Sequence, residues 1–116
     1  PLPDAYKDES DIGAVCAYLE EHSGEPVSLD QLGEVAGLSK YYLLRSFTKQ
    51  KGISPYRYLE TIRIAKARKL LERNVPMIEV ALQTGFADQS HFSRFFKRLI
   101  GVTPRQYAEI FGGRQA

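Results

Sequence analysis

The sequence predicts an all-α fold of seven helices: two helix-turn-helix subdomains joined by a long linker helix. Three observations carry that reading. Apolar residues recur three and four apart through most of the 116 residues, the period of a helix face rather than of a strand. A helix-ending segment, Gly52-Ile53-Ser54-Pro55-Tyr56-Arg57-Tyr58, returns 49 residues later as Gly101-Val102-Thr103-Pro104-Arg105-Gln106-Tyr107. Between the copies lies a stretch, 55–73, that holds no glycine and has proline only at its first position.

The elements follow in order. Residues 1–8 read as a linker or disordered tail. A first helix over 11–22 puts Ile12, Val15, Cys16 and Leu19 on one face, and Ser23-Gly24-Glu25-Pro26 breaks it. Ser28 caps a short helix whose apolar stripe is Leu29, Leu32, Val35 and Ala36. Gly37 ends that helix, where a left-handed residue without Cβ is needed. Ser39 caps the next helix, over 40–51, and Gly52 stops it.

The long helix 55–73 carries Leu59, Ile62, Ala65, Ala67, Leu70 and Leu71 as its apolar stripe. Its outward side is basic, with Arg57, Arg63, Lys66, Arg68, Lys69 and Arg73 against Glu60 and Glu72. About 19 residues at 1.5 Å each make it roughly 28 Å long. Asn74 ends it. Pro76 opens the following helix, where a missing N–H does no harm, and Met77, Val80, Ala81 and Thr84 face inward. Gly85 makes the turn and Asp88 caps a helix over 89–100, which Gly101 ends. A last helix covers 104–111, and Gly112-Gly113 begin a frayed tail.

The repeat extends upstream. Ala36-Gly37-Leu38 precedes Leu43, Arg45 and Phe47, as Thr84-Gly85-Phe86 precedes Phe92, Arg94 and Phe96. The glycines are 48 apart and the later residues 49, so the second turn is one residue longer. Two short helices joined by a tight glycine turn form a helix-turn-helix unit. The division expected is 9–54 for the first subdomain, 55–74 for the linker helix, 75–111 for the second subdomain and 112–116 for the tail.

Composition bounds the function. The chain is 43% apolar and 26% charged, enough of each to fold. No stretch reaches the roughly 18 apolar residues of a membrane helix. No charged-then-apolar leader opens the chain, so a cytoplasmic location is expected. Pro1 in place of Met suits a piece of a longer protein, with a stand-alone chain as the alternative. The single cysteine, Cys16, excludes an internal disulfide and a cysteine-clustered zinc site, and no cofactor is expected. The net charge of +2 hides a split: residues 1–36 sum to −8, and residues 37–116 to +10. A basic excess of that kind fits a polyanion.

The second helix of each unit offers suitable chemistry. In the first unit Leu43 and Phe47 face inward, while Tyr41, Leu44, Arg45, Thr48 and Lys49 face out. In the second, Phe92, Phe95, Phe96 and Leu99 face inward, and Gln89, Ser90, Ser93, Arg94, Lys97 and Arg98 face out. Arg matches guanine O6 and N7 in the major groove, Gln matches adenine, and Tyr41 or Leu44 can touch a thymine methyl. Lys40, Thr48, Lys49, Lys97 and Arg98 suit phosphate. An ordinary solvated face is the alternative at any one position. Two matching faces, each with an arginine two residues after Leu43 or Phe92, favour readout of double-stranded DNA. A rod of about 28 Å can serve major grooves that repeat every roughly 34 Å.

No catalytic constellation competes, so the chain is not expected to be an enzyme. His22 and His91 are far apart, Cys16 sits on an apolar face, and Glu20-Glu21 diverge on a helix. A helical protein-interaction module is the remaining alternative. It accounts for the repeat but not for two arginine-bearing faces.

The run Gly85-Phe86-Ala87-Asp88-Gln89-Ser90-His91-Phe92-Ser93-Arg94-Phe95-Phe96-Lys97-Arg98, with Gly101-Val102-Thr103-Pro104 and Tyr107, closely resembles the signature of the AraC/XylS family of bacterial transcription regulators. The resemblance covers roughly residues 9–110. It implies two helix-turn-helix subdomains that bind DNA in two adjacent major grooves. Base-reading positions would be Tyr41, Leu44 and Arg45 in the first unit, and Gln89, Ser90, Ser93 and Arg94 in the second. Leu44 stands where the family often has a polar residue, leaving a thymine-methyl contact there. Further implied partners are RNA polymerase and an effector domain of the same full-length protein, with no membrane.

Overall fold

A computed structural model describes the backbone of residues 3–113 and the side chains of residues 12–113. Among the described residues there are seven α-helices and no strand: α1 (Pro3–Glu21), α2 (Leu29–Ala36), α3 (Lys40–Lys51), α4 (Pro55–Glu72), α5 (Met77–Thr84), α6 (Gln89–Ile100) and α7 (Pro104–Phe111). The chain divides into two compact units, residues 1–62 and 63–116, with the boundary inside α4.

Each unit has its own core. In the first, Ile12, Val15 and Leu19 of α1 pack with Leu32 and Ala36 of α2, Leu43 and Phe47 of α3, and Leu59 and Ile62 of α4. In the second, Ile64, Ala67 and Leu71 of α4 pack with Val80 and Ala81 of α5, Phe86, then Phe92, Phe95 and Phe96 of α6, and Tyr107 of α7. The duplication therefore reaches further upstream than the turns. Ile12, Val15 and Leu19 lie 52 residues before Ile64, Ala67 and Leu71. The end of α4 does in the second unit what α1 does in the first.

Local chemistry sets the boundaries. Ser28 accepts the Gln31 N–H at 3.1 Å while Gln31 Oε1 accepts the Ser28 N–H at 2.8 Å, a reciprocal cap. Thr103 and Gln106 form the same box at α7. Ser39 caps α3 by accepting the Tyr42 N–H at 3.2 Å. Asp88 caps α6 by accepting the His91 N–H at 2.7 Å. Gly37 (φ 72°) and Gly85 (φ 91°) make the two helix-turn-helix turns in the left-handed region, where Cβ costs energy. Pro76 is the residue before α5 rather than its first, and supplies no side-chain cap.

Several expectations are corrected. Residues 3–8, predicted as linker or disordered tail, belong to α1, which begins at Pro3. Proline's fixed φ and missing N–H suit a first turn, and residues 4–12 contain no breaker. Residues 1–2 lie outside the described residues.

The predicted apolar stripe of α4 is two stripes. Leu59 and Ile62 serve the first core, and Ile64, Ala67 and Leu71 the second. Ala65 is exposed instead. Glu60 and Arg63, expected on the solvated side, lie where the stripes meet along the helix and are 7% and 5% exposed. Leu99, predicted inward, is 47% exposed. It falls in the last turn of α6, where half-buried Ile100, four residues after Phe96, continues the apolar face.

Gly112 and Gly113 are not a free tail. The Gly113 N–H donates to the Glu72 carbonyl at 2.8 Å, and Asn74 Nδ2 donates to the Gly113 carbonyl. Asn74, with φ 61°, turns the chain out of α4 to make that contact. Residues 114–116 of the predicted tail lie outside the described residues.

Candidate nucleic-acid interface

In the first unit, Leu43 and Phe47 are fully buried, which fixes the rotation of α3. One residue advances a helix by about 100°, so the opposite side carries positions 41, 42, 45, 48 and 49, with Leu44 on its flank. Tyr41 is 73% exposed and Leu44 38%. Lys40, Arg45, Thr48 and Lys49 are exposed too. The Lys40 ammonium lies 5.6 Å from the Tyr41 ring centroid, a cation–π pair at the start of the helix. An open concavity is lined by Tyr42, Leu44, Arg45, Ser46, Thr48 and Lys49. Tyr42 and Ser46 were not predicted there. The signal for Tyr42 was its place three residues before Arg45.

The second unit repeats the arrangement with more aromatic packing. Phe92, Phe95 and Phe96 are buried under α6. Phe92 meets Phe86 at 5.3 Å and Phe96 at 5.6 Å between ring centroids. Gln89, Ser90, Arg94, Lys97 and Arg98 are exposed, and Ser93 is half-buried. Asp88, Gln89, Ser90, Ser93 and Arg94 line one open concavity. Asp88 was predicted only as a cap. Its carboxylate spends its charge on the N-terminal end of α6, where the helix dipole favours an anion. His91 packs edge-on to Phe86 at 5.5 Å, a packing role.

Each unit also holds a tyrosine whose ring abuts the second helix of its helix-turn-helix, α3 or α6. Tyr58 meets Phe47 edge-on at 5.4 Å, and Tyr107 meets Phe96 edge-on at 5.5 Å. The Tyr107 hydroxyl accepts from Arg68 Nε at 3.2 Å and donates to the Glu72 carboxylate. Hydrogen bonding to Tyr107, with the nearby Glu72 adding to it, raises the guanidinium's affinity for its proton. Hydrogen bonding with Cys16, then burial, then the nearby Cys16 and Glu20, hold the Tyr58 pKa above the ordinary 10.

No group of three or more His, Cys, Asp or Glu among the described residues could hold a metal ion. No helix among them is long and apolar enough to cross a membrane.

Comparison with known proteins agrees with this geometry. The model of a helix-turn-helix domain family matches residues 32–110. The transcriptional regulator YbfI of Bacillus subtilis is 60% identical over 81 residues, 70% of this chain and 30% of its own length. The transcriptional activator RhaS of Escherichia fergusonii is 38% identical over 106 residues, 90% of this chain and 37% of its own length. This chain thus spans about a third of each of these relatives. The C-terminal domain of AraT, a response regulator from Geobacillus stearothermophilus, superposes with a TM-score of 0.85 at 30% identity, covering 90% of this chain and 88% of that one. The DNA-binding domain of AdpA, solved with a target DNA, gives 0.81 at 29% identity over 86% of this chain and 91% of its own.

Two capped helix-turn-helix units, each turning an arginine-bearing face outward, define a double helix-turn-helix DNA-binding domain of a transcription regulator. The chain belongs to the AraC/XylS family of such regulators.

Proposed function

We propose that this chain reads double-stranded DNA sequence-specifically, with α3 and α6 entering adjacent major grooves. Arg45 and Arg94 are the principal readers, each suited to guanine O6 and N7. Gln89 suits adenine, Ser90 and Ser93 adapt to either partner, and Tyr41 and Leu44 take thymine methyls. Lys40, Thr48, Lys49, Lys97 and Arg98 hold phosphate and set the register. In a longer parent protein the remaining length would carry an effector domain, the partner in transcription would be RNA polymerase, and the setting would be cytoplasmic. The chain itself performs no catalysis.

One observation carries the proposal. Arg45 and Arg94 are both exposed, and each stands two residues after a fully buried Leu43 or Phe92. The same side chain is presented from the same place in two separately folded units.

The test is a binding titration on duplexes selected from a random pool. Affinity is expected to fall with salt at a log–log slope of about −0.9 per phosphate neutralised. Arg94→Ala is expected to cost about 1–3 kcal/mol and to relax preference at one local cluster of base pairs. Binding indifferent to salt, or Arg45→Ala and Arg94→Ala variants that keep the full wild-type sequence preference, would falsify it. Nothing observed favours the interaction-module alternative.

A further inference from the structure

The polar contacts around the two tyrosines follow the repeat. Cys16 and Glu20 lie 52 residues before Arg68 and Glu72, one helical turn apart in each pair. Tyr58 bonds to Cys16 with Glu20 nearby. Tyr107 bonds to Arg68 and Glu72. Both rings stand nearly perpendicular to a recognition-helix phenylalanine, at 77° for Tyr58 on Phe47 and 72° for Tyr107 on Phe96. Each hydroxyl is thus tied to the first helix of its unit's core, and each ring to the helix that carries the arginine.

We propose that Tyr107 is a positioning residue for Arg94: its hydroxyl, held between Arg68 and Glu72, fixes the ring against Phe96 and so sets the rotation of α6. Phe96 lies two residues beyond Arg94, about 200° around the helix. A ring that seats Phe96 inside therefore aims Arg94 outside. The guanidinium of Arg68 also lies over the Tyr107 ring, 5.6 Å from its centroid. Tyr107 is 3% exposed and cannot itself contact DNA. Its effect passes through the aim of α6, so it acts on discrimination between base pairs and not on attraction to phosphate. This rests on Arg94 being a base reader.

Tyr107→Phe keeps the ring and removes the hydroxyl. Glu72→Ala removes the acceptor from an exposed position and leaves the core whole. Both variants of the full chain are titrated against the preferred duplex, against one altered at the base pairs Arg94 prefers, and against a random duplex. The expected result is a loss of discrimination of about two- to tenfold, the scale of one hydrogen bond, with affinity for the random duplex unchanged. In an Arg94→Ala background the Tyr107→Phe change is expected to add nothing. Undiminished discrimination in both variants, or an equal further loss without Arg94, overturns the positioning role alone. A wild-type chain that does not discriminate overturns the DNA-reading proposal and this one with it.

Discussion

Leu38 donates its backbone N–H to the Gly33 carbonyl at 2.9 Å, and the Leu38 carbonyl oxygen sits where a Cβ on Gly33 would lie 2.6 Å away. The first turn is therefore wrapped against bare backbone. In the second unit Phe86 donates to the Ala81 carbonyl in the same way, yet Ala81 carries its Cβ. The turn there is one residue longer between Gly85 and the start of α6.

Gly33→Ala is accordingly expected to destabilise the first unit by about 1–3 kcal/mol, the cost of overpacking against a neighbour that cannot yield. Ala81→Gly is expected to cost the second unit about 2 kcal/mol, from helix propensity and from the methyl lost from the core. Urea unfolding followed by circular dichroism checks both, and a Gly33→Ala chain as stable as the wild type would show that the Leu38 carbonyl yields to a Cβ.

Asp88 contributes through its cap. Asp88→Ala is expected to cost about 1 kcal/mol, and Asp88→Asn to recover most of it, because an amide oxygen can also accept the His91 N–H. Thermal unfolding of the two variants distinguishes a cap from a charge effect: if charge dominates, Asn will be as poor as Ala.

Leu44 offers only methyl groups to a base. Leu44→Gln is expected to move preference at one position from thymine toward adenine, since Gln can pair with adenine N6 and N7. Selection from a random pool reads this directly, and an unchanged position would remove Leu44 from the reading set.

Lys97 and Arg98 lie in the last turn of α6. Replacing either with Ala is expected to weaken binding to all duplexes alike and to reduce the salt slope by about one. A sequence-dependent loss would move that residue into the base-reading set.

Tyr58 predicts an alkaline effect. Its folded pKa is raised above 10, first by the bond to Cys16. Below pH 10 the phenol is neutral in folded and unfolded chains alike, and the contact is fully present. As pH rises from 10 through the higher folded value, the unfolded chain gains from ionisation first, so stability is lost. Tyr58→Phe is expected to flatten that loss. Ultraviolet titration should show Tyr58 ionising later in the wild-type chain than in Cys16→Ala.

Much of the site was legible because its signals are local. Ser39 and Asp88 announce helix starts, glycines 37, 52, 85 and 101 announce the ends, and the repeat confirms each by a second copy. The outward faces of α3 and α6 follow from which residues must be inside. α4 was misread at its centre because periodicity assumes one buried face. Two cores claim the helix, and Ile62 and Ile64 belong to different ones, so Arg63 is covered and Ala65 exposed.

The sequence alone determined the helices, their caps and the paired arginines, since each depends on neighbours within a turn or two. Tertiary structure decided what lies next to Tyr107, why Gly113 returns to Glu72, and that Cys16 takes the place of Arg68. Those contacts join residues about 35 to 42 positions apart, and no local propensity encodes which side chains packing will bring together.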